Sequence, residues 1–231
     1  MSQMLFSCKG FAQTGAIPLD LLQAREIKLF RGERELFHNA ENLNLASGQS
    51  LLILGPSGCG KTSLLHALAG LLPVTSGEVL FKGQSYRGLR PHRLDQIRAE
   101  NYGFVFQSLH LVGHLNVQQN IALAFSSARK SPELSSILKV CEALGLKGKE
   151  SQKAFSLSQG EAQRVCLARA CVHSPKIVFA DEPTSALDDV NTKAVMDFLF
   201  ELSKASGVSL IVSTHDQRIK PYFKDILEMS I

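Results

Sequence analysis

Between Gly55 and Leu65 the chain reads GPSGCGKTSLL, in which Gly55, Gly58 and Gly60 lead into Lys61, Thr62 and Ser63. The spacing fits G-x-x-x-x-G-K-[ST], with Pro56, Ser57 and Cys59 in the variable places. Glycines let successive backbone N–H groups turn inward around an anion, and a following helix adds its positive end. Lys61 can then reach β and γ phosphates, and Thr62 can ligate Mg²⁺. We therefore read Gly55 through Ser63 as a cradle for the phosphates of a nucleotide.

Two further stretches supply what a bound triphosphate needs in order to react. KIVFADEPTSALD ends an apolar run in Asp181, which can hold the metal, and Glu182, which can polarise an attacking water. LIVSTHD ends another in His215, either a contact for the γ-phosphate or a satisfied polar group. Cys59 lies beside Lys61 and near the helix start. It is either an inert small residue filling a variable place or a thiol expected to be alkylated with loss of activity and protected by bound nucleotide.

The stretch LSQGEAQRVCLARA places Glu161 three residues after Ser158, a capping box at the start of a helix. A cap alone does not need Gly160. Glycine there lets a phosphate or another backbone approach a helix N-terminus. Because residues 55–62 already cradle one nucleotide, a second anion-seeking helix end implies a second molecule and a head-to-tail pair.

These residues need elements to hold them. Leu51–Leu54, Ile177–Ala180 and Leu210–Val212 are short apolar runs, each followed by the residues above. That is the pattern of buried parallel strands with a site at their carboxyl ends, in an α/β fold. Leucines 64, 65, 68, 71 and 72 line one face of the helix after the loop, and SGEVLFKGQSY alternates like a half-exposed strand. A smaller antiparallel sheet is expected near residues 20–50 and 77–106. Residues 116–153 read as helical, and ELSSILKVCEALGL stops at Gly145.

Composition narrows the rest. The 231 residues, 45% of them hydrophobic, suffice for one sizeable core. A net charge of +4, scattered along the chain, argues against nucleic acid as partner. Five cysteines without paired spacing fit a reducing compartment. Residues 1–18 are expected to be a loose extension without a leader, Cys8 is not expected to carry a lipid, and no apolar run is long enough to span a bilayer.

With GPSGCGKT, LSQGEAQR, FADEPTSALD and STHD in this order, the chain resembles an ATP-binding cassette (ABC) ATPase over roughly residues 25–225. The resemblance implies a P-loop NTPase with a mostly parallel core sheet and a small antiparallel β subdomain. It also implies a helical subdomain at about 108–160, inserted in a domain spanning 19–231. Two ATP molecules would lie between the phosphate loop of one copy and Ser158 and Gly160 of the other. By the same resemblance, Gln107 in FVFQSLHL senses the γ-phosphate, joins the metal site and lies beside the contact with a transmembrane permease subunit. Phe30 would stack on adenine, the alternative being a packed strand residue, and Ser185 and Asp188 would communicate across the pair. The signature departs from the family's usual L-S-G-G-Q at Gln159 and Glu161. The likeness is to the lipoprotein-release and macrolide-export group, which implies an Mg²⁺-dependent, homodimeric ATPase peripheral to the cytoplasmic face of the inner or plasma membrane. A regulatory ATPase that controls a membrane-linked partner is the other reading.

Overall fold

Burial alternates along Leu22–Lys28, as in a strand covered on one face, and this is β1. The two-residue strands β2 (Phe30–Arg31) and β3 (Arg34–Glu35) pair with each other, and β4 (Asn42–Leu45) runs antiparallel to β1. In the computed structural model, residues 20–31, 34–35, 42–185 and 187–230 are described. The extension expected over residues 1–18 lies outside them.

The remaining elements follow in order. They are β5 (Ser50–Leu54), α1 (Lys61–Leu68), β6 (Ser76–Phe81), β7 (Gln84–Ser85), α2 (Pro91–Asn101), β8 (Tyr102–Val105), α3 (Val117–Ser127), α4 (Leu134–Ala143), α5 (Gln159–Cys171), β9 (Ile177–Asp181), α6 (Asp189–Ser206), β10 (Ser209–Thr214) and β11 (Asp225–Glu228).

An antiparallel sheet has the order β4-β1-β6-β7. Its register shifts between Arg25 and Lys28, where Glu26 has a positive φ of 47°. Gly77 faces this irregularity at φ +74°, and a Cβ on it would lie 2.3 Å from the Arg25 carbonyl oxygen. Only glycine fits there.

The second sheet, β11-β5-β10-β9-β8, is parallel throughout. Every residue of β9 and β10 is buried, because helices cover one face and α1 with the antiparallel sheet covers the other. Side chains therefore sort by parity. Leu52, Leu54, Val178, Ala180, Leu210 and Val212 pack towards α3, α4, α5 and α6. Leu51, Ile53, Ile177, Phe179 and Ile211 pack towards α1 and the antiparallel sheet.

The sequence expectation of antiparallel pairing out to residue 106 is corrected here. Pro91 opens α2, a crossover that returns the chain to β8 in the same direction as β9, so residues 102–105 extend the parallel sheet. At Gly103 the backbone of α5 presses so close that a Cβ would lie 2.0 Å from the Ala170 carbonyl oxygen. α1 is also shorter than its leucine pattern suggests. It ends at Leu68, Gly70 turns left-handed at φ +68°, and Leu71 and Leu72 follow outside the helix. In the helical stretch, Asn116 and Gln119 form a capping box for α3, and α4 closes just before Gly145, at φ +65°.

Candidate functional site

Parallel pairing fixes where the chemical residues stand. β10 lies between β5 and β9, with Thr214 opposite Leu54 and Ser213 opposite Asp181. The loop after β5, the carboxylates ending β9 and the His215 turn after β10 thus meet at one end of the sheet.

In the loop, Pro56, Ser57 and Gly58 are exposed, and Gly58 and Gly60 have φ of 84° and 97°. Gly60 caps α1 without a side chain, so the amides of the helix's first turn stay free of intrahelical partners. No acidic residue in that turn opposes an anion. The buried Lys61 side chain donates to the carbonyl oxygens of Gly55 (2.9 Å) and Pro56 (3.0 Å). Its ammonium lies 3.9 Å from Glu182 Oε1. An incoming phosphate would replace the two carbonyls as its partner.

Cys59 turns the other way. It is buried in the cluster with Leu64 and Leu65, and its Sγ would be 2.8 Å from a Cβ on Gly55. The expectation of ready alkylation is corrected accordingly, since the thiol sits beneath the loop and only its backbone is placed to meet a nucleotide.

Asp181 is 2% exposed, and both its oxygens are engaged. Thr62 Oγ1 donates to Oδ2 (2.8 Å) and Ser213 Oγ to Oδ1 (2.5 Å). Neighbouring residues in an extended strand point to opposite faces. Glu182 nevertheless joins the same cluster, because its backbone leaves β9 in the left-handed region at φ 50°, anchored by its amide on the Ser213 carbonyl (2.8 Å). A non-glycine residue in that conformation stores about 1 kcal/mol, as functional positions often do. Thr214 Oγ1 donates to Glu182 Oε2 (2.6 Å), and His215 Nδ1 lies 2.8 Å from Oε1. Thr62 and Asp181 offer oxygen donors alone, and no cluster of three or more metal-binding side chains occurs among the described residues. This suits Mg²⁺, which takes one or two protein oxygens and completes its shell with phosphate and water.

Gln107 is exposed just beyond β8, at the same end of the sheet, and shares no hydrogen bond with this cluster among the described residues. Phe30 is 42% exposed rather than packed in the core, as an aromatic free to stack would be, and its amide donates to Thr75 Oγ1 (3.3 Å).

Ser158 caps α5, its hydroxyl accepting from the Glu161 amide (3.3 Å) while Glu161 Oε2 accepts from the Ser158 amide (2.8 Å). Lys149 and that amide hold the Glu161 carboxyl well below the usual range, at about 2. Gln159 is the first helical residue. A Cβ on Gly160 would meet only Leu187 at 3.6 Å and Arg164 at 3.7 Å, both ordinary contacts, and its φ is not left-handed. Among the described residues of its own chain, nothing demands glycine there. Gln163 Nε2 reaches the Pro183 carbonyl (3.0 Å), tying α5 to the segment after Glu182. Ser185 Oγ donates to the Glu182 carbonyl (3.1 Å), and Asp188 caps α6 through the Asn191 amide (2.8 Å).

Sequence reasoning missed Ser213 and Thr214 as the hydroxyls that orient the two carboxylates. Their signal was present: two hydroxyl residues ending an apolar strand, beside one that ends in carboxylates.

Residues 38–185 match the family model described as ABC transporter. The chain belongs to the ABC transporter ATPase family. Over 182 residues, 77% of this chain and 79% of the other, the cassette is 38% identical to the lipoprotein-releasing system ATP-binding protein LolD of Legionella pneumophila (strain Lens). Its fold matches the dimeric bacterial ABC transporter cassette MJ0796 with a TM-score of 0.83 at 29% identity, over 90% of this chain and 94% of that one. The same protein, in a dimeric post-hydrolysis state bound to ADP and Pi, matches with a TM-score of 0.82, at the same identity and coverage. CbiO1 of Clostridium perfringens, described as part of the ABC transporter complex cbiONQ, matches at 0.79 with 26% identity, over 91% and 84% of the two chains. The family generally hydrolyses ATP, and its cassettes form dimers. No described helix of this cassette is long and apolar enough to cross a membrane.

Proposed function

We propose that the chain is the Mg²⁺-dependent ATPase subunit of a membrane transporter of the export or lipoprotein-release type. The observation that carries this is the meeting of Lys61, Thr62, Asp181, Glu182 and His215 at the carboxyl ends of three adjacent parallel strands. Similarity to a lipoprotein-releasing ATPase supports the transporter reading over a purely regulatory one.

In this reading Gly55–Ser63 hold the phosphates, Phe30 packs on adenine, and Lys61 leaves the loop carbonyls for the β and γ phosphates. Thr62 and Asp181, with Gln107, would hold Mg²⁺, which would supply charge neutralisation when bound. Glu182 accepts the proton of the attacking water, whose oxygen bonds to the γ-phosphorus as the bond to the bridging oxygen breaks. Thr214 orients that carboxylate, and His215 releases it to contact the γ-phosphate.

Ser158 and Gly160 act on the nucleotide of a second copy, which explains a glycine that the described residues of its own chain do not require. A groove of about 450 Å³ between α2, β8, α3 and α5 is lined by Phe104, Phe106, Leu123 and Arg169, beside the Gln107 loop. It suits a cytoplasmic segment of the permease subunit, which would hold the protein at the cytoplasmic face of the membrane.

Phosphate release from ATP tests the reading. The purified chain should hydrolyse ATP with added Mg²⁺ and stop when the metal is chelated; the absence of ATP-dependent phosphate release would refute it.

A further inference from the structure

Thr184 and Leu187, which follow Glu182, touch both ends of the chemistry. On one side, Leu187 is the nearest neighbour a Cβ on Gly160 would meet, at 3.6 Å. On the other side stands Arg218, which none of the sequence motifs include. Its Nη1 and Nη2 each lie 3.4 Å from the Leu187 carbonyl oxygen, and Nη1 also donates to Asp189 Oδ1 (2.5 Å). Its Nε and Nη2 grip Asp216, at 2.9 Å to Oδ1 and 2.8 Å to Oδ2. All three nitrogens of the guanidinium are spent on this one corner, a planar fork that lysine cannot reproduce.

Asp216 passes the connection inward. Its Oδ2 accepts from the buried Thr184 hydroxyl (3.0 Å), and its amide donates to Thr214 Oγ1 (3.0 Å). That same hydroxyl donates to Glu182 Oε2 at 2.6 Å. The Asp216 side chain is 9% exposed and faces inward, while Arg218, 42% exposed, closes the joint from the solvent side.

We propose that Arg218 is a positioning residue that locks Leu187 and Asp189 to the hydrogen bonds holding Glu182. Contact of the signature helix with a second copy's nucleotide thereby sets the carboxylate of its own site. The path runs from Gly160 through Leu187, Arg218, Asp216 and Thr214 to Glu182. It rests on the ATPase reading above and adds a route between the two nucleotides. Arg218 touches neither of them.

Steady-state hydrolysis by the full chain tests it. Arg218→Ala should lower kcat about tenfold with KM for ATP within about twofold, the range expected for residues that modulate coupling between sites. Arg218→Lys should not restore it. Asp189→Ala, at an exposed position that cannot support the core, should lower kcat in the same direction by about threefold. Combined with Gly160→Ala, the Arg218→Ala loss should be less than multiplicative, since both break one path.

Unchanged kcat in Asp189→Ala and Arg218→Ala, full rescue by lysine, or strictly multiplicative losses would each overturn the coupling while leaving the ATPase reading intact. A wild-type chain that releases no phosphate would overturn both.

Discussion

Glu182 shows what a motif reveals at the scale of a residue and what it hides. The adjacency of Asp181 and Glu182 announced two carboxylates, but strand alternation would have parted them. A left-handed backbone at φ 50° brings them together, and no residue type signals it at a glutamate. At the signature helix the reverse holds, for the geometry lifts an apparent anomaly. Gln159 is the first helical residue after the Ser158 cap, where glutamine brings no strain, and Gly160 has room within its own chain for a Cβ. Gln159→Gly should therefore change ATP turnover by less than about tenfold, whereas Gly160→Gln should nearly abolish it while leaving nucleotide binding by the monomer intact. Measured turnover and equilibrium binding of the two variants check this ranking. Cys59 carries the revised expectation. Its burial beneath the loop predicts that a thiol reagent modifies it only at the rate of local opening, which timed alkylation with peptide mapping would show.

At the scale of elements, the three chemical strands and the helix after the loop were legible because continuous apolar runs and turn residues bound them sharply. The destination of β8 was not. Residues 102–105 read as part of an antiparallel region, and only the α2 crossover, which reverses the chain, decides that they join β9 in parallel. The closeness of α5 to β8 was equally silent in the sequence, since Gly103 looks like any strand glycine. Gly103→Ala would drive a Cβ into the Ala170 carbonyl and should destabilise the fold by about 2 kcal/mol or more, measurable by urea unfolding. The cap of α5 adds a pH dependence. Glu161 titrates at about 2 in the fold against a reference of 4.5, so its contribution is complete above that reference and fades as pH falls towards 2. The stability gap between wild type and Glu161→Gln should accordingly be narrower at about pH 3 than at neutral pH.

For the whole molecule, the central claim is that one chain carries two half-sites that face different nucleotides. The loop of Gly55–Ser63 and the helix end at Ser158 and Gly160 are built on different layers, one after β5 and one on α5, and a hydrogen bond from Gln163 to the Pro183 carbonyl ties the second to the segment after Glu182, where Ser185 in turn bonds the Glu182 carbonyl. In the proposed pair, such an arrangement would give ATP two roles, as substrate for one copy and as adhesive for the other. Glu182→Gln removes the proton acceptor and keeps the phosphate and metal ligands, so bound ATP should persist. Light scattering on that variant, eluted from a sizing column with and without Mg²⁺ and ATP, measures the claim most directly. The account predicts twice the monomer mass with ATP and the monomer mass without it. A monomer at saturating Mg²⁺ and ATP, under conditions where ATP is demonstrably bound, would contradict it.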